Sequence, residues 1–83
     1  MSGFLGYNEY TIGTDYRGNS IVDGLKQGGH GDLSSYDARE RLAKMNGINN
    51  YRGTPQQNTE MLNKLKEGRL RVGYEVYGGY SNY

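Results

Sequence analysis

Residues Asn46 to Gly68 read NGINNYRGTPQQNTEMLNKLKEG. Thr54-Pro55-Gln56-Gln57 has the Thr-x-x-Gln form of a capping box, in which hydroxyl and amide satisfy each other's backbone N–H groups. Pro55 then falls on the first helical position, where its fixed φ suits the turn and its missing N–H costs nothing. Asn58, Met61, Leu62 and Leu65 follow at i, i+3, i+4 and i+7, the spacing of one helical face. Gly68 supplies the stop. Upstream, Gly47 ends an earlier helix, and Ile48 is placed to fold back onto it as in a Schellman end.

The same grammar repeats toward the N-terminus. Ser20-Ile21-Val22-Asp23 and Ser34-Ser35-Tyr36-Asp37 both read Ser-x-x-Asp, with Ser20 and Ser34 as caps. Gly28 and Gly47 are the matching stops, each expected in the left-handed conformation. Ile21, Val22 and Leu25 give the first helix an apolar face. Ala38, Leu42 and Met45 give the second one at i, i+4, i+7. Leu33 and Tyr51 lie in connections and are expected to close the core. The spacing predicts a mainly α fold, a compact three-helix unit over about residues 20–68, with short β-strands in the Tyr- and Gly-rich ends. Leu70, Val72, Tyr74 and Val76 alternate with polar residues, as Tyr10 and Ile12 do more weakly. These strands can pair with each other or, as sticky edges, with other chains. The expected organisation is a flexible or strand-forming segment 1–18, a helical domain 19–72 and a tail 73–83.

Composition narrows the function. The chain has 83 residues, close to the roughly 70–80 below which a single core needs staples or partners. It has no cysteine and one histidine, so neither a disulfide nor a thiolate or histidine metal centre is expected. No cofactor is expected either. A net charge of +1 gives no electrostatic case for nucleic acid or a membrane surface. No apolar run approaches the roughly 20 residues that span a bilayer. MSGFLGYNEY lacks a basic start and an apolar stretch, so synthesis in the cytoplasm without a signal peptide is the expectation.

No pattern of catalytic chemistry stands out. His30 sits in Gly28-Gly29-His30-Gly31 with nothing to lock its tautomer, and this run lacks the Gly-Lys-Ser/Thr ending of a phosphate loop. Arg39, Arg41, Lys44, Lys64, Lys66, Arg69 and Arg71 can form a basic patch, but acids are interspersed. A small nucleic-acid-binding or regulatory protein stays open as the alternative, beside a purely structural oligomerisation unit. The polar residues Tyr36, Arg39, Tyr51, Arg52, Thr54, Gln57 and Asn58 are the candidate ligand contacts. Aromatic faces stack on sugar rings, and arginine and amides bond hydroxyls, acetamido groups and carboxylates. The competing reading is a structural network in which Asn58 and Arg39 bond the loop carbonyls around Tyr51.

The run from Ile21 to Leu70 also resembles a known family. Its order I-V-D-x-L-K, then S-S-F-x-x-R-x-x-L-A, then G-I-x-x-Y-x-G-T-x-x-Q-N-x-x-L-L-x-x-L-K-x-G resembles the C-terminal cell-wall-binding domain of phage endolysins and related N-acetylmuramoyl-L-alanine amidases of Gram-positive hosts. Here Tyr36 replaces the usual Phe, and Arg39, Leu42 and Ala43 match the second part. Gly47, Ile48, Tyr51, Gly53, Thr54, Gln57, Asn58, Leu62, Leu65 and Gly68 match the third, with Met61 at its first leucine. The glycine-rich 28–31 connection departs from the pattern. The resemblance implies a non-catalytic module that targets peptidoglycan or a wall polymer. It further implies action at the bacterial wall after release from the host cytoplasm. The small core and strand-like ends suggest a homo-oligomer or assembly with a full-length endolysin, with avidity gained from linked sites.

Overall fold

The computed structural model describes residues 9–73. The order is β1 (Tyr10–Ile12), α1 (Ile21–Gln27), a 3-10 turn (Gly31–Leu33), α2 (Tyr36–Met45), α3 (Pro55–Lys66) and β2 (Leu70–Val72). The three-helix unit with flanking short strands is therefore observed. The strand expected to run on to Val76, and all of the tail beyond Gly73, lie outside the described residues.

Each helix start has its cap. Ser20 Oγ accepts from the Asp23 N–H at 3.1 Å, and Thr54 with Gln57 forms the full reciprocal box. The second start lies one residue later than the Ser34 expected from the pattern. Ser35 takes the extended backbone (φ −67°, ψ 161°) and accepts from Ala38 N–H. Ser34 stays in the αR region as the end of the 3-10 turn, and its hydroxyl donates to the Gly31 carbonyl at 2.7 Å. A cap needs an extended backbone, and Ser34 is held at φ −88°, ψ −8°.

All three helices end in Schellman geometry. His30, Ile48 and Arg69 N–H donate to the carbonyls of Leu25, Ala43 and Lys64 at 2.7, 2.8 and 2.8 Å. Gly47 and Gly68 take the left-handed φ, as expected, but at the first end the residue is Gly29 (φ 85°) and not Gly28 (φ −80°). The glycine-rich connection offers two adjacent stops, and the helix uses the later one.

Ile21, Leu25, Leu33, Leu42, Tyr51, Met61, Leu62 and Leu65 are buried together with Ile12, Leu70 and Val72 of the strands. β1 and β2 pair antiparallel, with Tyr10 opposite Val72 and Ile12 opposite Leu70. Of the two pairings the sequence left open, the described strands therefore pair with each other. A two-stranded sheet is marginal alone, and this one is held by burying Ile12, Leu70 and Val72 against the helices. Asn46, at the end of α2, covers the β2 backbone. Its Nδ2 donates to the Leu42 and Arg71 carbonyls at 2.8 and 3.0 Å, and its Oδ1 accepts from Arg71 N–H at 2.8 Å. No helix of the described residues is long and apolar enough to cross a membrane.

Candidate functional site

The loop from Asn46 to Thr54 reverses the chain between α2 and α3. Asn50 (φ 56°) and Gly53 (φ 71°) supply the left-handed corners, a conformation that asparagine and glycine adopt more readily than other residues. Gln57, anchored in the first turn of α3, clips the loop shut. Its Oε1 accepts from the N–H groups of Arg52 (2.8 Å) and Thr54 (3.3 Å), and its Nε2 donates to the Asn50 carbonyl at 3.1 Å. One side chain thus satisfies three loop backbone groups.

Beneath the loop lies a second polar cluster. Arg39 projects from α2 and donates through Nη1 to the Tyr51 hydroxyl at 2.7 Å and to Asn58 Oδ1 at 3.4 Å. Its Nε donates to the Ser34 carbonyl at 3.0 Å. The Tyr51 hydroxyl in turn bonds Asn58 Oδ1, and Asn58 Nδ2 donates to the Gly53 carbonyl at 3.3 Å. Tyr36 lies outside this layer and donates its hydroxyl to the Tyr51 carbonyl at 3.2 Å. The Tyr36 and Tyr51 rings are 5.5 Å apart and tilted by 45°. The Arg39 guanidinium sits 5.8 and 5.9 Å from their centroids, within cation–π range.

The expected site residues therefore divide by layer. Arg39, Tyr51 and Asn58 face one another and hold the loop to α2 and α3. Thr54 and Gln57 build the cap and the clip. Tyr36, 46% exposed, and Arg52, whose guanidinium has no hydrogen-bond partner among the described residues, present groups to solvent. Tyr51 is buried in the core. In the structural reading Arg39 was expected on loop carbonyls, yet it bonds the Ser34 carbonyl and the Tyr51 hydroxyl. The triple role of Gln57 was not anticipated, although a capping-box glutamine after two asparagines was a visible signal.

Burial pushes the Tyr51 hydroxyl above its ordinary pKa of 10.0, against the opposing pull of the Arg39 charge and hydrogen bond; Tyr36 adds to the rise. The folded state then holds this proton more tightly than the unfolded chain. Its contribution to stability is complete below pH 10.0 and is lost as pH rises through the higher folded value. Urea midpoints of the native chain should therefore fall as pH rises past 10.0. Tyr51→Phe should lower stability at neutral pH and flatten this alkaline loss. An equally steep alkaline loss in Tyr51→Phe would assign it to another group.

Among the described residues no group of three or more His, Asp or Glu side chains is placed to hold a metal ion. Over 35 residues the chain is 57% identical to the endolysin of Listeria phage A511. The chain is related to a phage endolysin. The match takes in 42% of this endolysin-related chain but 10% of the phage protein, so it corresponds to a small part of that enzyme's length. No family model and no solved structure matches the chain.

Proposed function

We propose that this endolysin-related chain is a non-catalytic cell-wall-binding module that recognises peptidoglycan or an attached wall polymer. The observation that carries this reading is the 57% identity to a phage endolysin over 35 residues. The architecture supports it. Gln57 and the Arg39–Tyr51–Asn58 cluster spend their hydrogen bonds on fixing a loop, which leaves a rigid surface with Tyr36 and Arg52 outward. Rigid presentation lowers the ordering cost of binding a glycan. The module acts at the wall of the phage's host as part of, or assembled with, a full-length endolysin. Self-association would raise weak contacts by an avidity of roughly 10²–10⁴ where geometry permits.

The test is retention of the purified chain on Gram-positive cell walls, intact and stripped of wall polymers, at low and moderate salt. Retention that survives moderate salt is expected, because stacking and amide contacts are screened far less than phosphate contacts. Loss on stripped walls would assign the ligand to the polymer. No retention on any wall at either salt would overturn the reading.

A further inference from the structure

A shallow hollow of about 480 Å³ opens between α2 and the loop that follows it. One wall is helical, formed by Glu40, Arg41 and Lys44, and the other is the loop residues Asn49 and Asn50. Ile48 and Tyr51, both buried, form its floor. A second hollow of about 480 Å³, lined by Glu9, Arg41, Lys44 and Met45, adjoins it across the same two basic residues. Clefts that hold small ligands run to about 300–1,000 Å³ and combine an apolar floor with a few placed polar groups.

The loop wall is fixed in advance. Asn50 holds a left-handed backbone with its carbonyl clipped by Gln57 Nε2 at 3.1 Å, and neighbouring Ile48 is tied to the end of α2 through Ala43 at 2.8 Å. The groups on the two walls differ in kind. Arg41 and Lys44, three positions apart on α2, line both hollows, with the Glu40 carboxylate in the first and the Glu9 carboxylate, paired to Arg71 at 2.6 Å, in the second. Carboxamides both donate and accept, which matches an acetamido group, and the ammonium and guanidinium match an acid.

The geometry points to this hollow as the subsite for an N-acetylated sugar unit carrying an anionic group, with the acid between Arg41 and Lys44 and the acetamide against Asn49 and Asn50. The assignment rests on the wall-binding reading and names the ligand chemistry within it. The anion has two sources in a wall, the carboxylate of a muramyl peptide or the phosphodiester of a wall polymer. The second hollow leaves room for a chain to continue past the two cations.

The experiment is an amide chemical-shift titration of the full chain with muramyl dipeptide, with poly(glycerol phosphate) and with neutral chitotriose, beside wall retention of two charge-matched variants. Lys44→Glu alters the hollow, whereas Arg17→Glu changes the same charge at an exposed position that lines neither hollow. Shifts at Lys44, Asn49 and Asn50 are expected with an acidic probe and not with chitotriose, and whichever acidic probe shifts them identifies the source. Lys44→Glu should weaken wall retention tenfold or more and Arg17→Glu less than twofold. Shifts confined to Tyr36 and Arg52, or equal loss in both variants, would overturn the subsite while leaving wall binding intact. Shifts at the hollow in a chain that no wall retains would support the subsite and overturn the wall-binding reading.

Discussion

Leu65→Ala is expected to cost about 3–5 kcal/mol, the largest loss of any single substitution considered for this chain. Leu65 is fully buried on α3 and packs on the α1 backbone, where a Cβ built on Gly24 would stand 3.3 Å from its Cδ2. Nothing larger than glycine fits there without moving Leu62 or Leu65, so the two helices lie close and cannot collapse further around a void. The lost transfer energy and the unfilled cavity therefore add. A chain of this size has roughly 4–12 kcal/mol of total stability, so the substitution removes a large share of it. Thermal unfolding followed by circular dichroism should show a melting point lower by about 12 °C or more. Leu65→Met, which keeps the volume, should lose less than about 1.5 kcal/mol. A loss for alanine as small as that for methionine would contradict the close α1–α3 packing.

The second large effect concerns the polar layer. Arg39→Ala should cost roughly 2–3 kcal/mol, since hydrogen bonds to a charged group are worth about 1.5–3 and the side chain is half-buried, with part of the charge screened. The substitution takes donors away from the Ser34 carbonyl, the Tyr51 hydroxyl and Asn58 at one stroke. It also lifts the guanidinium from two tyrosine rings. Arg39→Lys should recover little of this, because an ammonium cannot place an Nε donor on Ser34 and an Nη donor on Tyr51 at once. A separate readout distinguishes the network from simple loss of bulk. Without Arg39 the Tyr51 hydroxyl loses both influences that lower its pKa, so its titration, followed by NMR of the labelled ring, should move further up. A Tyr51 titration unchanged in Arg39→Ala would sink the proposed coupling.

What the sequence reveals here follows from how far each signal reaches along the chain. Caps, Schellman stops and the Asn58-Met61-Leu62-Leu65 stripe act within about one or two turns, so pattern alone places them. The two misplaced residues are near-ties of identical chemistry, Ser34 against Ser35 and Gly28 against Gly29. The 3-10 turn decides the first by holding Ser34 in a helical backbone. Asn46 was invisible because its partner strand lies 25 residues away. The site was legible as a set of residues but not as a geometry. Nothing in the order of Tyr36, Arg39 and Tyr51 says that the Tyr51 hydroxyl turns inward while Tyr36 remains half in solvent. The hollow on α2 was hidden for the same reason, since its two walls meet only after the loop folds back.

The antiparallel pairing of Tyr10 with Val72 has a mechanical consequence. The described chain enters and leaves the fold at one edge of the sheet, with the hydrogen bonds running across the strands. Tension applied through both ends therefore loads those bonds one rung at a time, as in opening a zipper, and does not load them together in shear. Tension between one end and a load held on the helices follows a different line and bypasses that weak direction. A module tethered on one side is thus the sturdier anchor, and the same module strung between two loads is the one that gives way first.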